Sequence, residues 1–148
     1  MEKTLLDTLK NRVDTKVGVI AALNTTLKAL QNIKPEEKKP ISLDGNKLIL
    51  ITNFANISCE IINLNDEENK DLSNAQFIIK TALKTTENYY ESFSADTSVI
   101  NKSQTLVLKN AQVVPFANPQ QILNYEVLAI FTDQIVGVTI GSFNRNTN

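Results

Sequence analysis

The hydrophobic period of the chain changes at Pro35, and that change divides it into a helical leader and a β-rich body. Ahead of it, Leu6, Val13, Ile20 and Leu27 recur at one heptad position and Leu9, Lys16, Leu23 and Leu30 at the other. The spacing predicts one long amphipathic helix over residues 4–33, with Lys16 as the single polar intruder. Thr4 followed by Asp7 makes a capping-box-like start, and Pro35 stops the pattern. Leu5, Val17, Val19 and Ile33 widen the stripe beyond a narrow seam, as in a helix lying on its own domain. Length argues for a second role. Thirty helical residues make a rod of about 45 Å, whereas the remaining chain forms a body only about 35 Å across. Unless the helix breaks at Gly18, part of the stripe overhangs and needs a cover. Self-association through Leu6, Leu9, Val13, Ile20, Leu23, Leu27 and Leu30 is the simplest one.

Residues 35–40 form a charged linker bounded by prolines, and from residue 41 to 143 the dominant period is two. Ile41-Ser42-Leu43 meets the turn signal Asp44-Gly45-Asn46, and Lys47–Thr52 is apolar on both faces, as a central strand would be. Asn53–Asn56 reads as a turn and Ile57–Leu64 as the returning strand, with Cys59 facing the core. Ser73-Asn74-Ala75-Gln76 is a capping box opening a helix over 74–94, and Leu72 and Phe77 stand at hydrophobic-staple positions. Ala75, Ile79, Ala82, Leu83, Thr86, Tyr90 and Phe93 share one face of that helix. Gln104–Phe116 alternates, with Leu106, Leu108, Val114 and Phe116 on one side and Val107, Ala111 and Val113 on the other. Tyr125–Phe131 and Ile135–Ile140 are two further strands, in which Gly137 and Gly141 mark bends or close approaches. Residues 144–148 form a polar tail.

The chemistry available is narrow. The chain has no histidine and one cysteine. It therefore lacks His-based nucleophile–base pairs, His-ligated metals, an internal disulfide and any Cys-X-X-Cys pair. Four glycines, at 18, 45, 137 and 141, leave no phosphate-cradling loop. The acidic run Asp66, Glu67, Glu68 and Asp71 lacks the alternation and the Gly of a calcium loop. Glu87 and Glu91, at i,i+4, are the one conceivable carboxylate dyad and read more simply as solvated helix charges. A net charge of −1 gives no electrostatic footprint for nucleic acid or anionic membrane. No apolar leader or membrane-length run is visible, and the lone thiol suits a reducing, cytoplasmic setting.

The order of these pieces, with Lys47–Thr52, Ile57–Leu64, Leu106–Ala111, Tyr125–Phe131 and Ile135–Ile140 as strands, resembles the Sm-like fold. That resemblance implies an N-terminal helix, a strongly bent five-stranded small barrel and assembly into rings. It covers about half of the chain. The family's RNA-binding loop pairs an Asp with an aromatic and an Asn, whereas Asn65-Asp66-Glu67-Glu68-Asn69 is acidic and lacks the aromatic. Phe131-Thr132 stands where the family carries Arg-Gly. The fold expected is thus α+β: a long N-terminal helix, then a small, mainly antiparallel, five-stranded barrel-like sheet with one inserted helix. The function expected is a non-enzymatic structural or adaptor subunit that homo-oligomerises, without cofactor or metal; there is room for a protein partner, nucleic acid is disfavoured and no membrane is expected. The alternative is an Sm-like RNA-associated regulator whose Lys34, Lys38, Lys39, Lys47, Lys80 and Lys84 converge in space.

Overall fold

A computed structural model describes residues 15–33, 45–62, 71–92 and 105–143. Helix α1 (Thr15–Gln31) is followed by strands β1 (Lys47–Thr52) and β2 (Ala55–Ile61) and helix α2 (Asn74–Glu91). Strands β3 (Thr105–Pro115), β4 (Leu123–Phe131) and β5 (Ile135–Gly141) complete the order, with a 3₁₀ turn, Thr132–Gln134, joining β4 to β5. The expected linker at 35–40, the strand fragment at 41–43, the acidic run at 65–69 and the tail at 144–148 lie outside the described residues, as does 4–14 of the predicted helix.

The chain is α+β, with every strand pair antiparallel in the order β4-β3-β2-β1-β5. The described helix is 17 residues, about 25 Å at 1.5 Å per residue, and the earlier part of the expected 45 Å rod lies outside the described residues. It runs straight through Gly18, whose missing side chain faces open space. No ladder joins β4 to β5 among the described residues, so the sheet is not closed into a barrel. It is nevertheless curled. Laid flat, the two outer strands would sit four spacings, about 19 Å, apart. A 3₁₀ connection rising about 2 Å per residue spans about 8 Å between Phe131 and Ile135. Only a sheet wrapped around its own core lets so short a link join its two edges.

Local chemistry sets the bends. Thr52 is fully buried, and its hydroxyl donates to the Ala55 carbonyl at 2.9 Å while accepting from the Phe54 and Ala55 N–H groups. That knot tightens the β1–β2 turn to Asn53-Phe54, so β2 begins at Ala55 rather than Ile57. In β3, Asn110 adopts φ 51°, the left-handed region that Asn tolerates best among residues with a side chain. Across from it, Ser58 pairs with Gln112 and Glu60 with Lys109, so Cys59 faces two residues, Asn110 and Ala111. This bulge corrects the strict alternation expected for β3. Leu106 and Leu108 before it, and Ala111 and Val113 after it, all join one buried cluster with Leu48, Leu50, Ala55, Ile57, Cys59, Ile130 and Ile135. Gly137 and Gly141 are close-approach positions: a side chain there would meet Ile51 at 3.4 Å and Ile49 at 3.3 Å.

Helix α2 opens with the expected capping box, in which the Gln76 N–H donates to Ser73 Oγ at 3.3 Å and the Ser73 N–H to Gln76 Oε1 at 3.2 Å. The staple does not form a buried contact, since Phe77 is 61% exposed. Ala75, Ile79 and Leu83 are half-buried on the side that meets β4, and Ala82 and Thr86 are exposed. Replacing Asn110 with Gly should leave stability within about 0.5 kcal/mol, whereas Asn110→Val should cost about 1–2 kcal/mol in urea unfolding, because a β-branched residue resists the left-handed conformation. Equal effects of the two would mean that the bulge is not set by backbone conformation at 110.

Candidate functional site

The stripe of α1 faces its own sheet over the described length. Ile20 and Leu27 are buried, and Val17 and Leu23 pack against the core that Ile20 joins. Leu30 is half-buried. Lys16, the intruder in the heptad pattern, reaches the β4–β5 turn and donates to the Thr132 carbonyl at 3.2 Å and the Ile135 carbonyl at 2.9 Å. At the other end, Gln31 Nε2 donates to the Asn46 carbonyl at 2.8 Å. Of the residues expected to self-associate, Ile20, Leu23, Leu27 and Leu30 thus find cover inside their own chain, wholly or in part. Leu6, Leu9 and Val13 lie outside the described residues.

What the sheet leaves uncovered is its two edges. Among the described residues, β4 is hydrogen-bonded only to β3, and β5 only to β1. Edge strands normally carry Lys, Pro or inward charges that discourage further pairing. β5, Ile-Val-Gly-Val-Thr-Ile-Gly, has none of these, and β4 has a single charge, Glu126. A register shift at Val136, which falls between the pairings of Ile51 and Thr52, perturbs only the first turn of β5. Exposed apolar side chains flank both edges: Val136 at 61%, Phe131 at 57%, Val19 at 52% and Tyr125 at 43%. Between α1 and β5 lies an apolar groove of about 240 Å³, lined by Val19, Ile20, Ile135, Val136, Gly137 and Val138, with Lys16 at its margin. Small-molecule pockets run about 300–1,000 Å³ and carry several converging polar groups. This groove is smaller and nearly all hydrocarbon.

The titratable groups are held in structural roles. Cys59 is buried, and removal from water pushes its thiol up from 9.0 to about 12, helped by the neighbouring Glu60 carboxylate and opposed by Lys47. Such a thiol is a small core residue, as the strand pattern implies. Glu60 and Lys109 form a cross-strand ion pair at 3.3 Å, directly opposite each other in the ladder. No group of acidic or cysteine side chains among the described residues is arranged to hold a metal ion. Glu87 and Glu91 fall in the second half of α2, but their side chains, like those of Tyr90 and Phe93, lie outside the described part. Of the lysines considered for RNA, Lys34, Lys38 and Lys39 also lie outside it. Lys47 is on β1 and Lys80 and Lys84 on α2, which rests on β4, with β3 and β2 between β4 and β1 in the sheet. No described helix is long and apolar enough to cross a membrane.

No protein-family model, curated protein or solved structure matches the chain. The residues that sequence reasoning missed are the ones whose partners are remote in the chain. The Lys16 contact spans 116 residues to Thr132. Its only forewarning is that Lys16 alone breaks an apolar stripe.

Two outcomes follow from this geometry. Lys16→Met keeps the methylene packing but removes both bonds to the turn, and should lower stability by about 1–2 kcal/mol in urea unfolding. Because the native thiol of Cys59 stays protonated up to about pH 12 while the unfolded one ionises from about pH 9, the unfolded chain releases its proton first. The contribution of Cys59 is therefore complete below pH 9 and fades as pH rises toward 12. Cys59→Ala should flatten that part of the alkaline decline, and native wild-type protein at pH 8 should leave maleimide unreacted until it unfolds.

Proposed function

We propose that the protein is a non-enzymatic structural or adaptor subunit that assembles with copies of itself through the open edges of its sheet, β4 of one copy lying beside β5 of the next. The observation that carries this reading is the outer side of β5, with which no other described strand pairs: seven residues with no charge and no proline, bordered by exposed Val136 and Val19. Left bare, such an edge is a hazard, and a paired one satisfies its backbone groups. Because the two edges belong to different strands, pairing them is head-to-tail, and head-to-tail contacts propagate into a ring when the rotation closes and a filament when it does not. The Sm-like resemblance supports the same reading, since it implies ring assembly, and the helix-then-five-strand order agrees with it. Self-association through the heptad stripe has lost support over residues 15–31, because Ile20 and Leu27 are already covered. Cytoplasmic residence belongs to this proposal as well, resting on the free thiol of Cys59.

The RNA-associated alternative is weaker on this arrangement, since Lys47 and the α2 pair Lys80 and Lys84 are attached to different parts of the sheet.

Light scattering at tens of micromolar should give a mass that is a multiple of 16.5 kDa. Placing charge on the β5 edge with Val136→Lys and Thr139→Lys, both at exposed positions, should return the mass to 16.5 kDa without loss of far-UV circular dichroism. A wild-type monomer at that concentration would overturn the proposal.

A further inference from the structure

The groove between α1 and β5 is continuous with the β5 edge, and its lining belongs to one face of the sheet. Ile20 and Ile135 are members of the core cluster and Val138 packs against it, so the groove is the rim of the core where the sheet ends. The opposite rim lies at β4. There Tyr125 stands directly opposite Ala111, a buried member of the same cluster, and residues directly opposite on adjacent strands project from the same face. Tyr125 thus belongs to the core-side face of β4, yet at the sheet edge it remains 43% exposed. Phe131, the other large exposed side chain on β4, follows the buried Ile130 and so projects from the reverse face.

From this placement we infer that the groove is a socket for the Tyr125 ring of a second copy, so that each subunit contributes the anchor at β4 and the receptacle at β5. The inference rests on the edge-pairing reading. When β4 of one copy continues the sheet beyond β5 of another, core-side residues of the two strands line up on one face. That alignment carries Tyr125 onto Ile135 and Val138 and beneath Val19, and it carries Phe131 away from them. A groove of about 240 Å³ with hydrocarbon walls suits one aromatic side chain and is small for a free ligand. The phenol hydroxyl stays toward the margin where Lys16 lies, in keeping with the way tyrosine buries its ring and keeps its oxygen hydrated. A buried aromatic at the centre of a contact is also the kind of residue on which association energy concentrates.

The test compares assembly by light scattering over a dilution series for wild type, Tyr125→Ala, Tyr125→Phe and Phe131→Ala, with circular dichroism to check folding. Tyr125→Ala should weaken association at least about tenfold, while Tyr125→Phe and Phe131→Ala stay near wild type. A second measurement uses copies carrying Glu126→Cys, exposed beside the anchor and leaving its ring in place, mixed with copies carrying Val19→Cys and treated with a short bis-maleimide. Cross-linked dimers should form in the mixture and not in either population alone, the native Cys59 being buried. If wild type is a monomer, the edge-pairing reading falls and this inference with it. If wild type assembles but Tyr125→Ala assembles equally well, or the cross-link joins Glu126→Cys only to itself, the edge reading stands and the socket assignment is overturned.

Discussion

The constraint on which this structure turns is the short link between β4 and β5. Two strands at opposite margins of a five-stranded sheet are joined by three residues, and the sheet must curl for that join to exist. Curling is a strained shape for a ladder unless something fills the concave side and something holds the join. The core cluster fills it, with Leu50, Leu108 and Ala55 wholly withdrawn from water. Helix α1 holds it. Ile20 enters the cluster from above, and the Lys16 ammonium donates to carbonyls at both ends of the turn. A cation is well suited to the place, since backbone carbonyls present partial negative charge, and the Thr132 carbonyl can accept both the ammonium and the Ile135 N–H that closes the turn.

The same curl explains why the bulges occur where they do. A strand that follows a bend cannot keep strict alternation and still present the same face to the core. β3 resolves the conflict at Asn110, where one extra residue in the left-handed region resets the phase. β5 resolves it beside Val136, and the glycines at 137 and 141 let Ile51 and Ile49 lie close over the strand. Thr52 contributes at the turn, where a buried hydroxyl both donates and accepts and so leaves no polar atom unsatisfied. Each device is local chemistry serving a global shape.

That pattern also marks where sequence reasoning carries and where it stops. The strands from Lys47 to Thr52 and from Ile135 onward, the capping box at Ser73 and the inward thiol of Cys59 follow from side-chain period and turn chemistry, which act over a few residues. The phase of β3 did not, because strict alternation is the rule and Asn110 looks like any polar residue within a strand. The role of Lys16 did not, because its partners lie more than a hundred residues away. The cover that the sheet gives to residues 15–31 of the stripe was illegible for a related reason. The length argument compares the rod with an idealised body, whereas α1 is 17 residues along a curled sheet that presents its core to that helix. The open edges were legible only in part: the sequence shows two apolar strands with Glu126 as their one charge, but not that these two become the margins of the sheet.

We place the proposed function on surfaces rather than on a reaction. The chemistry that a histidine-free chain retains rests on carboxylates, lysines and one thiol. In the described part, Lys16 is bound to the turn, Glu60 to Lys109, and the Cys59 thiol is kept protonated by burial. Each contributes to holding the curl or the ladder. The apolar surface has no comparable assignment: Val19, Val136, Phe131 and Tyr125 are exposed around two strands whose outer edges no other described strand pairs. Burying apolar area is worth about 25 cal/mol per Å², and each backbone group taken from water needs a partner. A strand from another copy meets both requirements at once. A partner offering apolar side chains alone would leave the β5 backbone unsatisfied, so the chemistry of the edge selects a strand.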